Sequence, residues 1–223
     1  MLLLPVREWL EREVFNLPTV AGGTKPCFNP YRGVDPAVDR PGADRIRREN
    51  LQRYLESFTI LPATLVIGEA PGWRGCRFSG VPFTSEAQLT GSLPFGGAPS
   101  SLGNQPHSEA AATIFWQVMR AYHPRFLAWN SLPQHPHLLG QPCSNRTPLQ
   151  SEIRQADGAL AKLVVLLAPR QVIAVGNSAA KTAQRLGLAA IQVRHPGHGG
   201  AKALTTGIRQ VFEASSRWGD YGP

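Results

Sequence analysis

The run Thr64-Leu65-Val66-Ile67-Gly68-Glu69-Ala70-Pro71-Gly72 decides the fold class. A short apolar, β-branched-rich stretch closed by Gly-Glu-Ala-Pro-Gly reads as a strand buried on both faces and ended by a tight turn. Three further runs match it: Phe126-Leu127-Ala128-Trp129, Val172-Ile173-Ala174-Val175 and Ala190-Ile191-Gln192-Val193. Helical spacing lies between and after them, at Ser108 to Tyr122, Leu149 to Leu167, Ser178 to Leu186 and from about Lys202 to Ala214. Strands alternating with helices predict an α/β fold. The expected form is a three-layer α/β/α sandwich around a small, mostly parallel four-stranded sheet.

Upstream of the first strand, Val6 to Phe15 reads as a helix with Val6, Trp9, Leu10 and Val14 on one stripe. Pro18 to Pro41 is rich in Gly and Pro and reads as an ordered surface loop. Ala43 to Phe58 is a second helix, with an apolar side (Ile46, Tyr54, Leu55, Phe58) and a basic one (Arg45, Arg47, Arg48, Arg53). A solvated charged face accounts for those arginines most simply; a phosphate-contacting face is the alternative. No repeat or low-complexity tract divides the chain, so residues 1–223 are expected to form one domain, with a helical and loop extension over about 1–60.

The 223 residues, 42% of them apolar, suffice for a full hydrophobic core. No apolar run approaches the ~20 residues needed to span a bilayer. Met1-Leu2-Leu3-Leu4-Pro5 is too short for a signal-peptide core and has no basic leader, so a cytoplasmic protein is expected. Cys27, Cys76 and Cys143 are far apart and form no CxxC pair, too few for a four-thiolate metal site. The net charge of +8 favours a polyanionic partner, because each phosphate neutralised releases condensed counterion.

In open parallel sheets, sites form outside the carboxyl ends of the strands. Three strand ends here carry unusual residues: Gly68 to Gly72, Asn130, and Arg194-His195-Pro196-Gly197. Glu69 is either an exposed turn residue or a carboxylate that orients a water molecule or stabilises a cationic sugar. Phe83, in Phe78-Ser79-Gly80-Val81-Pro82-Phe83-Thr84, is either a core anchor or a stacking platform for an extruded base. Asn130 is either a satisfied capping amide or a reader of the adjacent carbonyl and N–H of a pyrimidine. His195 either bonds backbone or aims a donor at the carbonyl of a departing base. Gly197-His198-Gly199-Gly200 suits a loop that approaches a nucleic-acid backbone closely. His135, His137, His195 and His198 with Glu69 could compose a metal site, but HxH and HxxH are weak motifs, and no metal is expected.

Taken in order, GEAPG (68–72), PF (82–83), a strand-ending Asn130, SNRTP (144–148) and HPG (195–197) resemble the uracil-DNA glycosylase superfamily, and within it the bacterial members related to the iron–sulfur type. The resemblance runs from Leu65 to about Gly199. It implies a monofunctional DNA glycosylase that acts as a monomer, flips uracil or a related deaminated base out of DNA and hydrolyses its N-glycosidic bond. It further implies that Glu69 positions the attacking water, while Gly68, Ala70, Pro71 and Gly72 line the base pocket. Phe83 would stack on the base, Asn130 would read its Watson–Crick edge, and His195 would stabilise the leaving anion. Arg146, Gly197 and His198 would lie toward DNA, with Asn145 and Arg146 bracing the site or touching phosphate. No lysine falls in these motifs, so no Schiff-base step is implied.

The sequence departs from the family pattern at several points. Gln134 and Ala156 stand where the iron–sulfur members carry two of their cysteines, so neither a cluster nor any other cofactor is expected. Gly72 replaces a tyrosine that excludes the methyl group of thymine in the best-known members, which leaves mispaired thymine and deaminated purines open as substrates. Gly197 replaces the serine of HPS. Two rival readings predict different behaviour: a damaged-DNA-binding protein without turnover would release no base, and a metal-dependent hydrolase would lose activity on chelation.

Overall fold

The computed structural model describes residues 3–20, 24–91, 93–197 and 199–216. Helix α1 (Leu4–Trp9) continues into a wider π turn, Leu10–Val14. A short strand β1 (Cys27–Phe28) precedes α2 (Ala43–Glu56) and β2 (Thr64–Gly68). Two one-turn helices, α3 (Cys76–Ser79) and α4 (Glu86–Leu89), lead to α5 (Ala110–Met119) and β3 (Phe126–Asn130). After β4 (His135–Pro136) come α6 (Gln150–Leu167), β5 (Gln171–Val175), α7 (Asn177–Arg185), β6 (Ala190–Val193) and α8 (Ala201–Ser216).

The main sheet has the order β3-β2-β5-β6 and every pairing in it is parallel. With helices packed against it, this is the three-layer α/β/α sandwich that the alternating pattern predicts. The two central strands explain why the sequence reads clearly: Leu65, Val66, Ile67, Ile173 and Ala174 are fully buried, as continuous apolar runs must be when both sheet faces are covered. β6 differs from that expectation. It is an edge strand, Ile191 is 46% exposed, and only Val193 at its end is buried. The opposite edge, β3, is sealed instead: the Ala128 N–H donates to the Tyr54 hydroxyl of α2 at 2.9 Å, so a helix side chain satisfies an edge donor that has no strand neighbour.

The N-terminal stripe behaves as its spacing requires. Val6, Trp9, Leu10 and Val14 are all buried. The Trp9 indole N–H donates to the Ala159 carbonyl of α6 at 2.9 Å, and its ring meets Trp129 edge-on at 5.0 Å. Leu3, Val6, Trp9, Leu10, Val14 and Phe15 thus pack in one hydrophobic cluster with the sheet residues Leu65 to Ile67.

Two expectations for that region are corrected. Residues 26–31 of the supposed surface loop are buried; Tyr31 is 1% exposed and donates its hydroxyl to the Gly80 carbonyl. Arg47 does not belong to a solvated basic face. Its side chain is fully buried with Arg77 against one carboxylate, Asp39. The Arg47 guanidinium also donates to the Gly33 carbonyl and the Ser100 hydroxyl, and that of Arg77 lies 4.3 Å from the centroids of both Phe28 and Phe78. Burial alone would raise the Asp39 carboxyl, but the hydrogen bond from Arg77 and the charges of both arginines hold it below the usual carboxylate range. This triad ties α2 and the 26–39 segment to α3, which directly follows the Gly72 turn.

Candidate active site

β2 and β3 are aligned from Thr64–Phe126 to Gly68–Asn130, so their carboxyl ends stop side by side. The Ser131 N–H and hydroxyl both donate to the Gly68 carbonyl at 2.9 Å, and the Leu132 N–H donates to the Glu69 carbonyl at 2.9 Å. These bonds lace the Gly68-Glu69 turn to the chain leaving β3.

Gly68 itself is a contact point. A Cβ there would stand 2.6 Å from Phe83 Cζ and 2.7 Å from Asn130 Oδ1, so only glycine lets the ring and the amide close over the strand end. Phe83 holds φ at +55°, a left-handed conformation costly for an aromatic residue and of the kind stored at functional sites. Its ring lies nearly parallel to Phe115, with centroids 4.3 Å apart. Asn130 is 5% exposed, and its amide makes no hydrogen bond to a described residue. It is not the satisfied capping amide that its position also allowed.

His195 follows β6. Its Nδ1 accepts the Gly197 N–H at 3.0 Å, so the neutral ring carries its proton on Nε2. The loop is tight: a Cβ at Gly200 would stand 2.0 Å from the His195 carbonyl oxygen. His198, the other histidine of this loop, lies outside the described residues.

A cavity of about 380 Å³ gathers these strand ends. Glu69, Ala70, Pro71, Gly72, Phe83, Asn130 and His195 line it together with Asn145, Arg146 and Thr147. Gly68 stands behind Phe83 and Asn130, and Gly197 behind His195. Among the described lining residues there is no lysine.

The turn that carries Glu69 is held from outside. His135 is buried and donates Nδ1–H to the Pro71 carbonyl at 2.7 Å; burial pushes its ring down to about 4, so it is neutral at pH 7. The Trp73 N–H donates to Asn145 Oδ1 at 2.8 Å. Arg146 turns inward. Its guanidinium donates to Glu152 and to the carbonyls of Lys25, Pro26, His137 and Thr147, which occupies its donor fork. It braces the SNRTP segment, the alternative left open beside a phosphate contact.

Several lining residues lie outside the motifs legible in the sequence, among them Cys76, Glu109, Ala111 and Ala112. Glu109 precedes α5, where its side chain makes no capping bond. Its carboxyl instead crosses the cavity wall: a Cβ on Gly72 would stand 2.3 Å from Oε1, and one on Gly75 2.2 Å from Oε2. Burial pushes this carboxyl above its ordinary range. The sequence hint was the pair of glycines three apart, which makes room for a bulky neighbour.

Among the described residues, no three His, Cys, Asp or Glu side chains converge on a metal position. The residues at the family's cluster positions do not suit an iron–sulfur group either. Gln134 bonds the Pro18 carbonyl, and Ala156 packs in a small apolar cluster with Cys27, Leu132 and Ile153.

Fold and site together define an α/β protein whose cavity opens at the carboxyl edge of a parallel sheet, with an aromatic ring, an amide, a carboxylate and an imidazole converging on it. A family model described as the uracil DNA glycosylase superfamily matches residues 58–215, and the chain belongs to that superfamily of DNA glycosylases. The crystal structure of SMUG2 from Pedobacter heparinus shares the fold, with a TM-score of 0.69 at 10% identity over 95% of this chain and 98% of that one. No curated protein sequence matches the chain. Among the described residues, no helix is long and apolar enough to cross a membrane.

Proposed function

We propose that this protein is a monofunctional glycosylase that removes uracil, or a related deaminated base, from DNA and leaves an abasic site. The convergence of Glu69, Phe83, Asn130 and His195 on one cavity carries the reading. A flipped base stacks on Phe83, whose ring is held in place by Phe115. The unpartnered Asn130 amide offers a donor and an acceptor to the carbonyl and N–H of the base.

As the C1′–N bond breaks, its electron pair leaves with the base and charge builds on a carbonyl oxygen. His195, protonated on Nε2, donates to that oxygen. Glu69 holds the water that adds to C1′ and takes up its proton. The absence of lysine among the described lining residues agrees with hydrolysis and no Schiff base. Gly197 presents no side chain at the rim, which suits close approach of a DNA backbone, and the +8 charge suits a polyanion. The test is incubation with a uracil-containing oligonucleotide followed by alkaline strand cleavage; a protein that binds the strand but never yields an abasic site is a binding module.

A further inference from the structure

Among the described residues, Glu109 has no hydrogen-bond partner for its carboxyl in the wall of the cavity. Its carboxyl makes no hydrogen bond to a described residue and does not cap its own helix, α5. The residue is half-buried and lines the cavity, so a ligand that enters can supply the partner that the protein does not. The chain makes room for it at some cost. Gly72 and Gly75 are the residues that its two oxygens press upon, and any side chain at either position would collide with them. Burial is the cause of its raised pKa, with no compensating donor beside it. Cys76, its near neighbour, is itself held as a thiol up to about 12 and supplies no charge.

We propose that Glu109 is a substrate-contacting residue of this cavity, whose carboxyl hydrogen-bonds a polar atom of the flipped base from the wall formed by Gly72 and Gly75. It joins Phe83 below the ring and Asn130 at its edge as a third element of base capture. Residue 72 thus shapes the pocket by what it leaves room for. The inference rests on the glycosylase reading for the identity of the ligand.

The test compares the full-length protein with Glu109→Ala, Glu109→Gln and Gly72→Ala. The probe is a duplex carrying 2′-fluoro-deoxyuridine, in which the fluorine disfavours the cationic sugar and blocks cleavage; excision of ordinary deoxyuridine is followed alongside. Glu109→Ala should weaken binding at least ~10-fold, as removal of a buried hydrogen-bonding partner does. Glu109→Gln, which keeps a donor and an acceptor, should restore most of that loss. Gly72→Ala should displace the carboxyl and mimic Glu109→Ala. Thermal stability separates contact from scaffolding: removing a half-buried carboxyl that bonds no described residue should leave Tm unchanged or raised. Undiminished binding in Glu109→Ala, or a loss that parallels a falling Tm, overturns the proposal. A wild type that binds the probe and yields no abasic site overturns the catalytic reading alone, and the binding series still decides on Glu109.

Discussion

Gly68 and Asn130 are sheet partners at the ends of β2 and β3, and the glycine leaves only enough room for the amide: a Cβ would stand 2.7 Å from Asn130 Oδ1. The same missing Cβ admits the ring of Phe83. Gly68→Ala should therefore displace both Phe83 and Asn130, to which we assign capture of the base. We expect excision to fall at least ~10-fold while far-ultraviolet circular dichroism stays native, since overpacking of one methyl costs about 1–3 kcal/mol. Unchanged kinetics would show that this contact does not set the pocket.

In the proposed reaction His195 and Asn130 act on the leaving base. His195→Ala and Asn130→Ala should each lower single-turnover excision by ~10²-fold or more, the usual effect of losing a transition-state donor. Phe83→Ala should act mainly on base capture, where stacking contributes roughly 1–3 kcal/mol. Near-normal rates in both donor variants would remove these residues from the mechanism.

Asp39 is the one carboxylate between the buried guanidinium groups of Arg47 and Arg77. Asp39→Ala leaves two cations uncompensated in the core and should cost about 3–5 kcal/mol of stability, read by urea unfolding. Because its folded pKa is depressed, its contribution is present above the unfolded carboxylate range and is lost as pH falls through the folded value.

His135 gives a second pH signature. Its ring is pushed down to about 4 by burial, while an unfolded histidine titrates near 6.5. Between those values the unfolded chain binds a proton that the native one refuses. Stability should fall as pH drops through that window, by up to about 1.4 kcal/mol per unit from this group. His135→Gln should flatten that slope of Tm between pH 6.5 and 4. An unaltered slope would place the titration elsewhere.

The strands were legible because a sheet covered on both faces demands continuous apolar runs, and Leu65 to Ile67 and Val172 to Val175 have nothing else they could be. The strand-end residues were legible for the same reason: once the strands are placed, Glu69, Asn130 and His195 fall on one edge. Arg47 was misread because helical periodicity shows which residues share a face but not what meets them. Its partner Asp39 comes from a segment whose Gly and Pro content suggested surface. Glu109 was missed because its place in the wall depends on two glycines more than thirty residues earlier, a relation that exists only after the sheet has formed.

Base excision is the decisive reaction to follow. A strand bearing one deoxyuridine, single or paired with guanine, is incubated with the protein and treated with alkali. A glycosylase gives a break at the uracil position, with free uracil released and no break before the alkali. Intact strands under conditions where the protein binds them would contradict this assignment.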